Sequence, residues 1–202
     1  YLVPRLVEAG HEVIAVSRGT SEPYLPHAAW KSVETRQMDR AALERDGSFG
    51  RAIRALKADI VIDKICFTLD SARELGEALN GHIGHLLHTG TIWTHGHSLA
   101  VPTREDAPKA PFGEYGIQKK AIEDYLLEAA KLRGLPVTLI HPGHIVGRGW
   151  APLTTFSETA RPLSRSRSTN TWKASAPPAL ARRRFQMLPI PSCAWPTRRR
   201  SA

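Results

Sequence analysis

Cysteine is scarce in this sequence: only Cys66 and Cys193 occur in 202 residues. Two distant thiols make no disulfide framework, so a reduced, cytoplasmic setting is expected. No apolar run approaches the roughly 20 residues needed to cross a bilayer, and no signal peptide is visible, which excludes a membrane-spanning reading and leaves no membrane partner to expect. Glycine stops at Gly149, and the last 52 residues hold none of the 15. Acid is also missing there, since Glu158 alone faces ten Lys and Arg. The formal charge of +9 therefore belongs to the tail, while residues 1–150 balance.

This shift of composition places a boundary near Trp150. Beyond it come Arg161-Pro162-Leu163-Ser164-Arg165, Pro177-Pro178, Arg182-Arg183-Arg184 and Arg198-Arg199-Arg200, without periodicity. Residues 151–202 are expected to be a basic, disordered tail, and their composition is that of a frame-shifted GC-rich reading. Arginine clusters attract polyanions in a salt-dependent way. The tail has no recognition helix, however, and Trp172 and Trp195 do not alternate with basic residues, so no specific nucleic-acid partner is expected. The sequence opens on Tyr1 inside a helical pattern, and the natural N-terminus is expected upstream.

Residues 1–150 alternate between two periodicities. Leu2, Val3, Leu6 and Val7 form a helical stripe that stops at Gly10, and Val13 to Val16 make a short apolar run suited to a buried parallel strand. Further strands are expected over 33–38, over 59–67, over 82–91 and over 136–140. Helices are expected in the second half of 41–56, after Gly47 and Gly50, then over 71–79 and from Tyr115 to Arg133. The alternation predicts an α/β fold, a doubly wound parallel sheet covered on both faces.

Open sheets of this kind bind ligands at the carboxyl ends of their strands. That rule singles out Thr91, and it singles out Ser17 and Arg18 at the end of the strand where a dinucleotide's adenosine ribose is met. A base there suits a 2′-phosphate and leans the cofactor choice from NAD toward NADP. His82, His85, His88, His95 and His97 crowd one region, but His85 faces away from His82 and His88 in a strand and no zinc-type ligand spacing accompanies them, so no metal is expected. Tyr115 and Lys119 stand one helical turn apart. An ammonium near a phenol favours the phenolate, which is what a phenolic general base requires.

Together these residues resemble the extended short-chain dehydrogenase/reductase family, the NAD-dependent epimerase/dehydratase group. The resemblance rests on Tyr115-Gly116-Ile117-Gln118-Lys119 as Tyr-x-x-x-Lys, on Thr89-Gly90-Thr91 as the Ser/Thr motif and on His141-Pro142-Gly143 through Gly147 as the Arg-Pro-Gly turn. It implies a Rossmann-like fold, NAD(P) as cofactor and a nucleotide sugar or similar small molecule as substrate. By resemblance Tyr115 is the acid/base, Lys119 holds the nicotinamide ribose, and Thr91 orients the reacting oxygen. Asp39 would contact the adenine, Cys66, Phe67 and Thr68 would cover the adenosine side, with Thr89 nearby, and Pro142, Gly143 and His144 would flank the nicotinamide.

The resemblance also implies a first strand with a glycine-rich phosphate loop ahead of Tyr1, and both are expected to be lacking, as is a patterned substrate domain after residue 150. Activity of the chain as it stands is therefore left open, beside the alternatives of a non-catalytic dinucleotide-binding regulatory module and of nucleic-acid binding through the tail. A homodimer through the Tyr115 helix is allowed, since Ala129 and Ala130 offer small residues for close packing.

Overall fold

The structure, a computed structural model, describes residues 2–20, 23, 26–97, 102–143 and 183–188. Its elements follow the chain as α1 (Leu2–Glu8), β1 (Glu12–Ser17), a 3-10 turn (Ala28–Ser32), β2 (Glu34–Gln37), α2 (Arg40–Arg45), α3 (Phe49–Ala55), β3 (Ile60–Asp63), α4 (Leu69–Leu79), β4 (His85–Thr89), a second 3-10 turn (Ile92–His95), α5 (Gly113–Arg133), β5 (Val137–Ile140) and β6 (Arg184–Met187). The six strands form one sheet in the order β2-β1-β6-β3-β4-β5, every pair parallel.

Alternation along the strands divides the core. On one face Ile14, Val16, Val61 and Leu86 meet Phe49, Ile53, Leu75, Leu79, Ile122 and Leu126 of α3, α4 and α5. On the other, Val13, Ile62, Phe185 and Met187 meet Val3 of α1. Helices thus cover both faces, as a parallel sheet requires.

The boundaries differ from the sequence reading in physically clear ways. The strand expected to run through Cys66 and Phe67 ends at Asp63, where a buried ion pair takes over. Gly47 does break the 41–56 segment, with φ of +66°. Gly50 does not: it lies inside α3, and a Cβ there would stand 2.6 Å from the Ala78 Cβ and 2.6 Å from the Glu74 carbonyl oxygen. It is the contact that lets α3 lie against α4, so Gly50→Ala is expected to lower stability by about 1–3 kcal/mol in urea unfolding.

The largest difference is β6. It comes from the tail expected to carry no regular element, and it fills the central place between β1 and β3. Asp59 N–H donates to the Arg184 carbonyl (2.9 Å), Leu188 N–H to the Ile62 carbonyl (2.9 Å), and Arg184 N–H to Asp59 Oδ2 (2.8 Å). Sequence periodicity misses it because Phe185, Met187 and Leu188 stand among arginines and prolines.

The insertion has a flaw. Gln186 is fully buried between Ile14 and Val61, its register partners, and neither amide atom has a hydrogen-bond partner. An unsatisfied buried amide costs about 1–3 kcal/mol, so Gln186→Leu is expected to raise the unfolding midpoint, by about 1–2 kcal/mol in chemical denaturation.

Candidate active site

The residues selected by strand-end logic or by the family resemblance fall on the carboxyl edge of the sheet: Ser17 at the end of β1, Asp39 after β2, Cys66 to Thr68 after β3, Thr89 at the end of β4 with Thr91 two residues on, and Pro142 and Gly143 after β5. Tyr115 and Lys119 enter the same edge from the first turns of α5. His144 lies outside the described residues.

Lys119 is the most firmly held of them. Although it follows Tyr115 by one turn, it does not share its exposure: Lys119 is 2% exposed and Tyr115 45%. The Lys119 Nζ donates to the Cys66 carbonyl (2.8 Å) and to the Thr89 carbonyl (2.9 Å), joining the ends of β3 and β4. It lies 6.0 Å from the centre of the Tyr115 ring and 5.3 Å from that of Phe67. Burial holds its pKa below the ordinary lysine range. An ammonium has three N–H donors, and the two carbonyls use two of them.

Thr91 is buried, and its hydroxyl oxygen caps the second 3-10 turn by accepting from Trp93 N–H (3.3 Å). That turn sets Trp93 edge-on to Tyr115 at 6.5 Å between ring centres, while Phe67 flanks Tyr115 at 6.4 Å. Gly96, at φ +75°, closes the turn where a Cβ would meet the Ala110 carbonyl oxygen at 2.0 Å. Phe67, Thr68, Glu114, Tyr115 and Gln118 line a shallow cleft of about 350 Å³.

The remaining predicted positions do structural work. Ser17 Oγ accepts from Gly19 N–H (3.1 Å), leaving the Arg18 side chain exposed at the edge. Asp39 caps α2 by accepting from Ala42 N–H (3.2 Å). Thr68 caps α4 by accepting from Ser71 N–H (3.3 Å). Cys66 is wholly buried, and burial pushes its thiol up to about 11, so it takes part through its carbonyl and not as a thiolate.

Pro142 accepts from Ile92 N–H (3.4 Å), joining the β5 end to the Thr91 turn. Ala129, which the sequence offers both to the buried stripe of its own helix and to a partner, is buried in this chain's own core. Arg184, counted in the basic tail, pairs with Glu34 at 3.1 Å.

Two charged clusters escaped the sequence reading. Arg40, at the start of α2, sends Nη1 to Asp63 Oδ1 (2.7 Å), Nη2 to Asp63 Oδ2 (3.3 Å) and to Ser71 Oγ (2.6 Å), and Nε to Glu44 (2.6 Å). Glu123, one turn beyond Lys119, is buried against Lys109, with His141 Nε2 at 3.5 Å. Their signal was a charge inside an apolar pattern: Asp63 ends Ile60-Val61-Ile62, and Glu123 adjoins Ile122 in the buried stripe of α5.

Asp63, Cys66 and His88 also bring ligand-type atoms within 4.8 Å of one another. The Arg40 fork already neutralises Asp63, and the Lys119 ammonium stands against the Cys66 carbonyl, so two cations hold that place.

Burial moves the His88 pKa from 6.5 down to about 4, against the pull of Asp63. The folded state thus keeps a neutral imidazole while the unfolded chain binds a proton below pH 6.5. Stability is expected to fall as the pH drops from 6.5 to 4, by about 3 kcal/mol at full extent, and then to level off for this group. Urea titrations of wild type and His88→Gln across that window check it, the variant losing less.

A parallel sheet covered on both faces, with a buried lysine and an exposed tyrosine at its carboxyl edge, defines a dinucleotide-type α/β domain. The chain belongs to the NAD dependent epimerase/dehydratase family, whose sequence profile matches residues 68–169. It is 30% identical over 123 residues to a 2′-dehydrokanamycin reductase of Streptomyces kanamyceticus, covering 61% of this chain and 33% of that protein. It is 31% identical over 80 residues to a UDP-glucose 4-epimerase of Azospirillum brasilense, covering 40% and 23%.

Among solved structures, the UDP-glucose 4-epimerase of Thermotoga maritima with UDP-glucose superposes with a TM-score of 0.56 at 20% identity, over 69% of this chain and 50% of that one. WbmG of Bordetella bronchiseptica in complex with NAD and UDP gives 0.52 at 22%, over 69% and 47%. At these identities the likeness is one of fold. The chain spans about a third or less of the curated relatives it matches and about half of the solved ones. Among the described residues no helix is long and apolar enough to cross a membrane.

Proposed function

We propose that this chain carries the cofactor half of an NAD(P)-dependent oxidoreductase, of the epimerase, dehydratase or reductase type, acting on a hydroxyl or carbonyl of a nucleotide sugar or a similar polyol. The observation that carries the reading is the Lys119 ammonium pinned by two strand-end carbonyls beside the Tyr115 ring. A fixed cation whose third N–H has no partner among the described residues suits the hydroxyls of a nicotinamide ribose. The bound nicotinamide would supply the hydride chemistry.

The protein's part is the proton. The exposed Tyr115 hydroxyl takes it from, or returns it to, the substrate oxygen, with the Lys119 ammonium 6.0 Å from its ring centre. The Thr91 hydroxyl, whose oxygen already accepts from Trp93, keeps its own hydrogen to donate to the reacting oxygen. Phe67 and Thr68 would lie along the cofactor, and the exposed Arg18 would meet a 2′-phosphate, favouring NADP over NAD. A homodimer through α5 would use its exposed Leu127 and Leu132.

The test follows absorbance at 340 nm as NADPH or NADH is consumed with 4-keto UDP-hexoses, or formed from NADP⁺ or NAD⁺ with 4-hydroxy UDP-hexoses. Tyr115→Phe is expected to cut any turnover by about 10²–10⁴-fold with cofactor binding intact, as loss of a general acid/base does. Equal turnover in the variant contradicts the assignment.

A further inference from the structure

Nothing in the sequence comparison explains why a guanidinium and a carboxylate are buried together beneath the loop between β3 and α4. Asp63 is 1% exposed, and Arg40 8%. Arg40 also lies over the Phe49 ring at 4.6 Å, so the fork is fixed from above as well as in its own plane. Burying such a pair is costly, and exchange for apolar residues of like volume is often neutral or stabilising. The four polar contacts of Arg40 therefore need an explanation beyond stability.

Their geometry supplies one. Asp63 Oδ1 accepts from Ile65 N–H at 3.3 Å, so the carboxylate that Arg40 holds shapes the first turn of the loop. Ser71, which Arg40 also holds, donates its backbone N–H to the Thr68 hydroxyl at the far end of that loop. Between these two fixed points sits Cys66, whose carbonyl receives the Lys119 ammonium at 2.8 Å. Burial lowers the Lys119 pKa, Asp63 raises it and Arg40 lowers it. The two charges of the pair thus oppose each other at Lys119, while their hydrogen bonds fix the loop.

We propose that Arg40, through its fork on Asp63, is a positioning residue that sets the Cys66 carbonyl and thereby the Lys119 ammonium at the cofactor edge. The pair clamps both ends of residues 64–68, and the carbonyl between them is half of the lysine's seat. Without the clamp the loop loses its Ile65 turn, and the ammonium keeps only the Thr89 carbonyl. This inference rests on the role given to Lys119 above, and the test separates the two.

The test compares the full chain with Arg40→Leu/Asp63→Leu, which removes both charges together and leaves no buried ion alone, and with Arg40→Lys, which keeps the charge but loses the fork. Three quantities are read: the melting temperature, NADPH and NADH affinity, and the titration of the Lys119 side chain by ¹³C NMR of its Cε, assigned with Lys119→Ala. The double variant is expected to melt near wild type while the Lys119 titration shifts from its wild-type position. Cofactor affinity should fall by about tenfold or more, the worth of one charge-assisted hydrogen bond. Should the double variant not fold, Arg40→Lys is expected to show the same two changes.

An unchanged Lys119 titration in a folded variant overturns the proposal and leaves the network purely structural. If wild type binds neither cofactor, the functional reading fails, while the NMR titration still decides whether Arg40 places the lysine.

Discussion

Cutting the chain after residue 182 is expected to abolish cooperative unfolding. The loss removes β6, the strand between β1 and β3, and so divides the sheet into two pieces of two and three strands with facing open edges. It also removes Phe185, Met187 and Leu188 from both faces of the core. Each such side chain is worth about 1.5–3 kcal/mol when buried, and a whole domain is stable by only about 5–15 kcal/mol, so three of them and the two lost ladders approach the total. Parallel strands buried on both faces have no solvent alternative for their backbone groups. Far-UV circular dichroism through a urea series checks it. A cooperative transition like that of the full chain would show that β6 is a passenger in the sheet.

Asp63→Leu alone is expected to cost about 3–5 kcal/mol, the second largest effect of a single change. Among the described residues it leaves the Arg40 guanidinium, 8% exposed, with only Glu44 and Ser71 as polar partners. Burial works against that charge, and the Asp63 carboxylate now more than offsets it, holding the guanidinium firmly protonated. The same pairing holds Asp63 below the usual carboxylate range against its own burial.

A carboxyl lowered in the folded state gives stability that is present above its unfolded value and is lost as the pH falls toward the folded one. The wild type should therefore lose stability in acid below about pH 4, on top of the earlier loss from His88. In Asp63→Leu the Asp63 component of that acid loss disappears. Stability at pH 7 within about 1 kcal/mol of wild type would contradict the assignment of the pair as a buried, mutually dependent unit.

The contrast between β6 and α5 shows what a single sequence makes legible. The α5 helix carries its pattern within itself: Ile122, Leu126 and Ala129 repeat at helical spacing and Gly134 ends it, so both its place and its buried face were readable. The gathering of the candidate residues at one edge of the sheet was readable too, because strand ends in a parallel sheet are dictated by the alternation of elements.

The β6 strand has four residues, Arg184, Phe185, Gln186 and Met187, and a buried glutamine interrupts its pattern. Its place is set by β1 and β3, far away in the chain, which no local window around it contains. The Arg40–Asp63 pair was hidden for a related reason. Each residue alone reads as a solvated charge near a helix start or strand end, and only the tertiary approach of α2 to β3 turns them into a buried pair. Spacing placed Lys119 and Tyr115 one turn apart on one helix, yet it could not say that the lysine turns inward to two carbonyls while the tyrosine stays in solvent.

The reading as a whole turns on whether the carboxyl edge holds a dinucleotide. The most direct measurement is a fluorescence titration of the full chain with NADPH and then NADH, with Lys119→Ala beside it. Saturable binding in the micromolar range that Lys119→Ala weakens by about tenfold or more is the expected result, since it would lose a charge-assisted contact to the ribose. NADPH should bind more tightly than NADH if Arg18 meets the 2′-phosphate. No binding of either cofactor at millimolar concentration, or binding indifferent to Lys119, would contradict the assignment of this edge as the cofactor site.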